Sequence, residues 1–191
     1  MKGTLSFLGK RAVILHRHGD TTDRLIRQCA LLGIRAEARW QSLTAAEGVD
    51  IVLVDADEGW DGLLPWRPAE RLVPLVALLA SEAPGRIAWA LDQGADALIA
   101  KPVTASAVYP ALVMATRRHA EAQQVNERIR RLEERVRLRP LVHAAVRTLM
   151  VAEGCDENEA YGQLRHEAMQ TRLTLEQAAA SILASPRRQA G

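Results

Sequence analysis

The sequence predicts an α/β protein: a doubly wound parallel sheet, then a long helix with coiled-coil character, then a small all-α module of three helices. Three observations carry that expectation. Short β-branched apolar runs alternate with amphipathic helical patterns through residues 1–115. A narrow apolar stripe then runs from Ala122 to Val136 among Glu and Arg side chains. Beyond Pro140 the apolar positions widen into faces broad enough to bury.

Arg11–His16 (RAVILH) reads as a buried strand. Thr21–Leu32 follows as a helix, with Asp20 as its cap and Gly33 as its stop. Ile34–Ala38 is a second strand. Asp50–Asp55 (DIVLVD) is the clearest strand, a β-branched run that ends in an acid. Val73–Leu79 is the fourth and Ala97–Ala100 the fifth, with a helix over Pro84–Gln93 ended by Gly94. Lys101-Pro102 follows, and the last helix starts between Val103 and Arg118. Five β-α units in this length make the flavodoxin-like arrangement, whose ligands and switches lie at the carboxyl ends of the strands.

That last helix does not stop where the sheet domain should end. Ala122, Val125, Ile129, Leu132 and Val136 follow 3-4 spacing and form a seam for a homodimer. The alternative is an exposed helix packed on its own domain. Pro140 should kink or interrupt the rod. Val142, Ala145, Val146, Leu149 and Met150 then make one wide face, and Gly154 ends it. Asp156 with Glu159 forms an acidic capping box for the next helix, whose core face is Ala160, Leu164 and Ala168. Thr174 caps a third, with Leu175, Ala178, Ala179, Ile182 and Leu183 inward. The expected division is 1–115 sheet domain, 116–139 coiled-coil helix, 140–185 helical head and 186–191 flexible tail.

Composition narrows the class. The net charge is only +2 over 191 residues, so the molecule as a whole is no polycation. Lysine occurs only at Lys2, Lys10 and Lys101, so arginine carries nearly all the positive charge. Cys29 and Cys155 form no CxxC pair and no metal-ligand spacing, which suits two reduced thiols. The N-terminal stretch lacks a sustained apolar core, so no signal peptide is expected, and a cytoplasmic location follows. GxSxG, P-loop and HExxH patterns are absent. The acidic run Asp55-Ala56-Asp57-Glu58 reads as a solvated turn, and His16 with His18 is a poor metal site alone. No enzyme activity, cofactor or metal is expected.

The head carries a resemblance. Ala145, Leu149 and Met150, then Gly154, then Glu157, Glu159, Ala160 and Tyr161, then Leu164, Arg165, Ala168 and Met169, then Arg172, Leu175 and Ala179 resemble the ANTAR domain. That family comprises RNA-binding modules of bacterial transcription antitermination regulators. The whole layout is similar to the AmiR/NasT type, with a receiver-like domain, a helical rod and an ANTAR head. The resemblance implies a dimer that binds paired hairpins in a nascent leader transcript and disfavours the terminator. It also implies a ligand-sensing regulatory protein as partner. Candidate RNA contacts are Arg147, Arg165, His166, Arg172 and Arg139, with Arg135 and Arg137 nearby. Tyr161 could stack a base, but its place after Ala160 points inward. One departure stands out: Ala145-Val146-Arg147 replaces the Ala-Lys-Gly of many ANTAR heads, and one residue is about 100° around a helix.

A phosphorylated receiver needs an acid pair after the first strand for Mg²⁺, a phosphoacceptor aspartate, a Ser/Thr after the fourth strand and a lysine after the fifth. Asp55 and Lys101 are in place. The first strand instead ends in His16-Arg17-His18, and Leu79 stands at the Ser/Thr position with Ser81 two residues on. The expectation is a pseudo-receiver whose Asp55 pairs with Lys101 or an arginine. Trp60, Trp66 and Trp89 are candidate contacts for the partner protein, or else core. The alternative function is a phosphorylation-dependent response regulator that binds RNA or DNA. Against DNA, the third head helix has almost no basic side chains for a major groove.

Overall fold

The computed structural model describes residues 6–44, 48–80 and 83–185, so the predicted tail 186–191 and Ser81 lie outside the described residues. The chain divides into two compact units, Met1–Gln123 and Gln124–Gly191.

The first unit holds β1 (Arg11–Leu15), α1 (Asp20–Leu31), β2 (Arg35–Arg39), β3 (Ile51–Asp55), β4 (Leu75–Leu79), α2 (Pro84–Asp92), β5 (Ala97–Ala100) and the start of α3 (Ala105–Glu153). All strand pairs are parallel and the order is β2-β1-β3-β4-β5. Alternating side chains explain the double winding. Ile14, Leu53, Leu78 and Ile99 face Leu25 and Cys29 of α1 and Val108 and Leu112 of α3. Val13, Leu15, Val52, Val54 and Ala77 face the other way, against Leu43, Leu63, Leu64 and Ala90. Central strands buried on both faces read as continuous apolar runs, which is why β3 and β4 were legible.

Three expectations need correction. Five β-α units were predicted, but among the described residues the connection after β2 carries no helix and the one after β3 carries only a 3-10 turn at Pro68–Glu70. Gly59, Gly62, Pro65, Pro68 and Pro74 break helical continuity there. The apolar face is filled instead by Leu63 and Leu64, with Trp66 against them. Gly59 permits a close approach: a Cβ there would lie 2.2 Å from the Trp89 ring. Asp20 does not cap α1; Gly19 is the N-cap residue, no side chain caps the end, and Asp20 adds its charge to the first turn. Pro140 does not interrupt the long helix, which is continuous from Ala105 to Glu153. Proline removes one bond to the carbonyl of Val136, and Val136 is exposed, so water can reach that carbonyl.

A polar node is buried in this unit. Arg71 and Asp96 pair at 2.8 Å, each 6% exposed. Asp96 also accepts the Leu75 N–H at 3.0 Å, and Arg71 donates to the Gly94 carbonyl. Two side chains of α3 meet the node: Gln123 donates to the Arg71 carbonyl at 2.6 Å, and His119 is buried beside it. Burial, reinforced by the Arg71 guanidinium, holds the His119 imidazole below its ordinary range against the opposing pull of Asp96 and the Leu72 backbone. The folded state therefore favours neutral His119. Its contribution to stability is complete above the ordinary histidine pKa of 6.5 and is lost as pH falls from there toward the lower folded value. Urea midpoints measured between neutral and mildly acid pH should fall, and His119→Gln should flatten that slope. Burial also pushes the Cys29 thiol up to about 11, which keeps it protonated and unreactive.

The second unit contains the rest of α3, α4 (Glu157–Thr171) and α5 (Leu175–Ala184). Ala145, Val146 and Leu149 pack with Ala160, Leu164 and Ala168 and with Ala178, Ala179 and Ile182. Both short helices begin on a capping box, Asp156 with Glu159 and Thr174 with Gln177. No helix of the described residues is long and apolar enough to cross a membrane.

Candidate functional site

Two places concentrate chemistry, one in each unit. In the first unit β3 delivers Asp55, 3% exposed, to the carboxyl edge of the sheet. Lys101, just after β5, donates from Nζ to Asp55 Oδ1 at 2.6 Å, so of the two expected partners, Lys101 or an arginine, it is the lysine that pairs. His16, just after β1, places Nε2 3.3 Å from Asp55 Oδ2, outside hydrogen-bond geometry. Its Nδ1 is 2.7 Å from the Arg17 carbonyl, which also accepts from Thr22 Oγ1 at 2.6 Å. His18 is exposed.

Asp57 completes this cluster and is not part of the solvated turn that its acidic neighbours suggest. Its backbone N–H donates to Asp55 Oδ1 at 3.0 Å. Its Oδ2 accepts from the Ala80 N–H at 2.7 Å and lies 3.0 Å from Lys101 Nζ. One ammonium is thus shared by two carboxylates, and a backbone donor after β4 is spent on Asp57. Mg²⁺ requires several oxygen ligands. Here the turn after β1 contributes an imidazole and a guanidinium, and Arg17 is itself paired with Glu58 at 2.6 Å. The residues do not suit a magnesium site. Among the described residues, no group of three or more His, Cys, Asp or Glu could hold a metal.

Around this edge Trp40 and Trp60 meet edge-to-face with centroids 5.1 Å apart, and the Arg17 guanidinium lies 5.7 Å above the Trp40 ring. Trp60 is exposed, whereas Trp66 and Trp89 pack against the core. Trp40 was missed, because nothing in its local pattern ties it to Trp60, twenty residues on.

In the second unit the core leaves a basic surface. Arg135, Arg139, His143 and Arg147 recur every four residues along α3, and all are exposed. Tyr161, Arg165 and Met169 do the same along α4, flanking its buried face. Arg172 caps α4 in the left-handed conformation (φ 56°), which puts its side chain beyond the last turn. Val146 is buried, so the charge on this stretch belongs to Arg147 alone. His166 is a quarter-turn and more from Arg165, near Gln170 at 2.8 Å, in a recess that Glu153, Glu159 and Glu167 also line.

The family model for the AmiR N-terminal domain matches residues 10–116, and that for the ANTAR domain matches residues 130–183. The chain is an ANTAR regulator of the AmiR type. The transcriptional regulatory protein PdtaR of Mycobacterium tuberculosis, from strains CDC 1551 / Oshkosh and ATCC 25618 / H37Rv, is 30% identical over 115 residues. That match covers 60% of this chain and 56% of either relative, so this chain spans little more than half of their length. A solved structure of the response regulator StyR aligns over 91% of this chain and 98% of its own, with a TM-score of 0.54 and 16% identity, a likeness of fold alone.

In this ANTAR regulator the structure gathers some predicted residues and separates others. Arg139 and Arg147 share one ridge of α3, and Arg165 lies on α4 one turn from Tyr161. His166 turns toward carboxylates. Tyr161, expected inward, is 45% exposed. Ala160, Leu164 and Ala168 fill the inward side of α4 and leave Tyr161 at its margin.

Proposed function

We propose that this ANTAR regulator is a transcription antiterminator that binds hairpins in nascent leader RNA from the cytoplasm. The observation that carries the reading is a set of exposed arginines, Arg139 at the base of the helical head and Arg147, Arg165 and Arg172 on it. Exposed guanidinium groups pair with phosphate, and unpaired loop bases supply sequence. The division of labour would be 1–115 as docking platform, 116–139 as coiled coil and 140–185 as RNA-binding head. Full-length protein titrated with a two-hairpin leader RNA and with duplex DNA across a salt series tests the reading. RNA preference that persists as salt rises is expected; equal affinity throughout rejects it.

The active species is a homodimer joined along α3. Val125, Ile129, Leu132 and Val136 are 47–70% exposed, which leaves an apolar stripe for a second copy, with Ala122 at its start. Replacing Ile129 and Leu132 together by lysine should turn a dimer into a monomer in sedimentation. A variant that stays dimeric removes the seam from the interface.

Control comes from a docked, ligand-sensing regulatory protein and not from phosphorylation. Asp55 is held by Lys101 and faced by His16, and Asp57 already takes donors that a phosphoryl group would need. Of the three tryptophans considered for docking, Trp60 is the exposed one. The runner-up, a phosphorylation-dependent regulator, draws on Asp55 and Lys101 standing where that chemistry requires them. Acetyl phosphate with Mg²⁺ should leave the intact mass unchanged; stoichiometric modification at Asp55 decides for the runner-up.

A further inference from the structure

We propose that Tyr161 is a base-stacking platform, set in a basic groove of the head that receives one unpaired RNA base. This rests on the RNA-binding reading above and names the subsite within it. The groove holds about 460 Å³. Arg135, Arg139 and His143 line it from α3, Tyr161 from α4, and Leu175 and Glu176 from α5. Its one carboxylate, Glu176, lies 3.6 Å from Arg135 and is already compensated. Arg139 therefore lines the groove with no opposing charge from that wall. An apolar floor, an aromatic ring and a cationic rim suit a flat, uncharged base carried on an anionic backbone.

The exposure of Tyr161 supports this reading. A tyrosine at this position could have closed the core, but Ala160 and Leu164 are fully buried in its stead. Arg165, one helical turn on, extends the surface from the groove along α4 and offers a guanidinium to the adjoining phosphate. Leu132 and Val136 border the same groove and belong to the proposed seam. A second copy of the chain is therefore the competing occupant.

The test uses the full-length chain and a pool of tandem-hairpin RNAs with randomised loops, carrying 5-bromouridine in either loop or stem. Irradiated wild type should cross-link through the peptide that contains Tyr161, from loop-labelled RNA only. Tyr161→Ala should weaken binding at least about fivefold, the low end of base–aromatic stacking, while Tyr161→Phe retains it. Arg139→Ala should lower the salt slope by about one. Wild type that binds the pool but cross-links elsewhere, or a Tyr161→Ala variant that binds as wild type does, overturns the subsite and spares the RNA-binding reading. A Tyr161→Ala variant that turns monomeric in sedimentation also overturns it, since the groove then seats the second copy. Wild type that binds no RNA overturns both.

Discussion

Replacing Asp96 by alanine should destabilise the sheet unit by about 3–5 kcal/mol, the usual cost of removing one member of a buried ion pair. Arg71 cannot relax into water: it is 6% exposed and its remaining partner is the Gly94 carbonyl. The variant also strands the Leu75 N–H, which Asp96 accepts at the start of β4. Asp96→Asn keeps an acceptor for that N–H yet still leaves the guanidinium without a counter-charge, so it should recover only part of the loss. Tryptophan fluorescence reads this cleanly, because Trp40, Trp60, Trp66 and Trp89 all belong to the sheet unit. A urea midpoint close to wild type for Asp96→Ala would mean that the pair is not the constraint the geometry indicates.

The second large effect is expected on RNA affinity. Arg165→Ala and Arg172→Ala should each weaken leader RNA binding by about 1.5–3 kcal/mol, the range of a hydrogen bond to a charged group and close to a tenfold change or more. Neither should unfold the head, since both side chains are exposed and the core is built from Ala160, Leu164 and Ala168. Arg172 supplies an internal control. Its backbone is left-handed at φ 56°, which alanine tolerates no better than arginine. Arg172→Gly removes the guanidinium and relieves that strain, so it should bind as poorly as Arg172→Ala while melting higher. Unchanged affinity in both Arg165→Ala and Arg172→Ala would move the RNA surface away from α4. His166→Ala, beside Glu167 and Glu159, should change affinity least of the candidates.

The sequence alone determined the parts whose signals are local. The apolar runs of β1, β3 and β4, the Asp156 and Thr174 caps and the apolar faces of the head were all readable, because period and end chemistry are written within a few residues. The places of Asp55 and Lys101 at two strand ends allow their pairing but left an arginine partner open, and the structure decides for Lys101. Only the tertiary structure decided which segment between strands would form a helix, since Leu63 and Trp66 cover the sheet without one. It alone carried the long helix through Pro140, on an exposed stretch of the rod. It alone turned Tyr161 outward, because Ala160 and Leu164 had already filled the space. The Asp57–Ala80 bond, the Arg71–Asp96 pair and the Trp40–Trp60 contact join residues 20 to 25 positions apart, and such distances are closed by packing, not by any pattern along the chain.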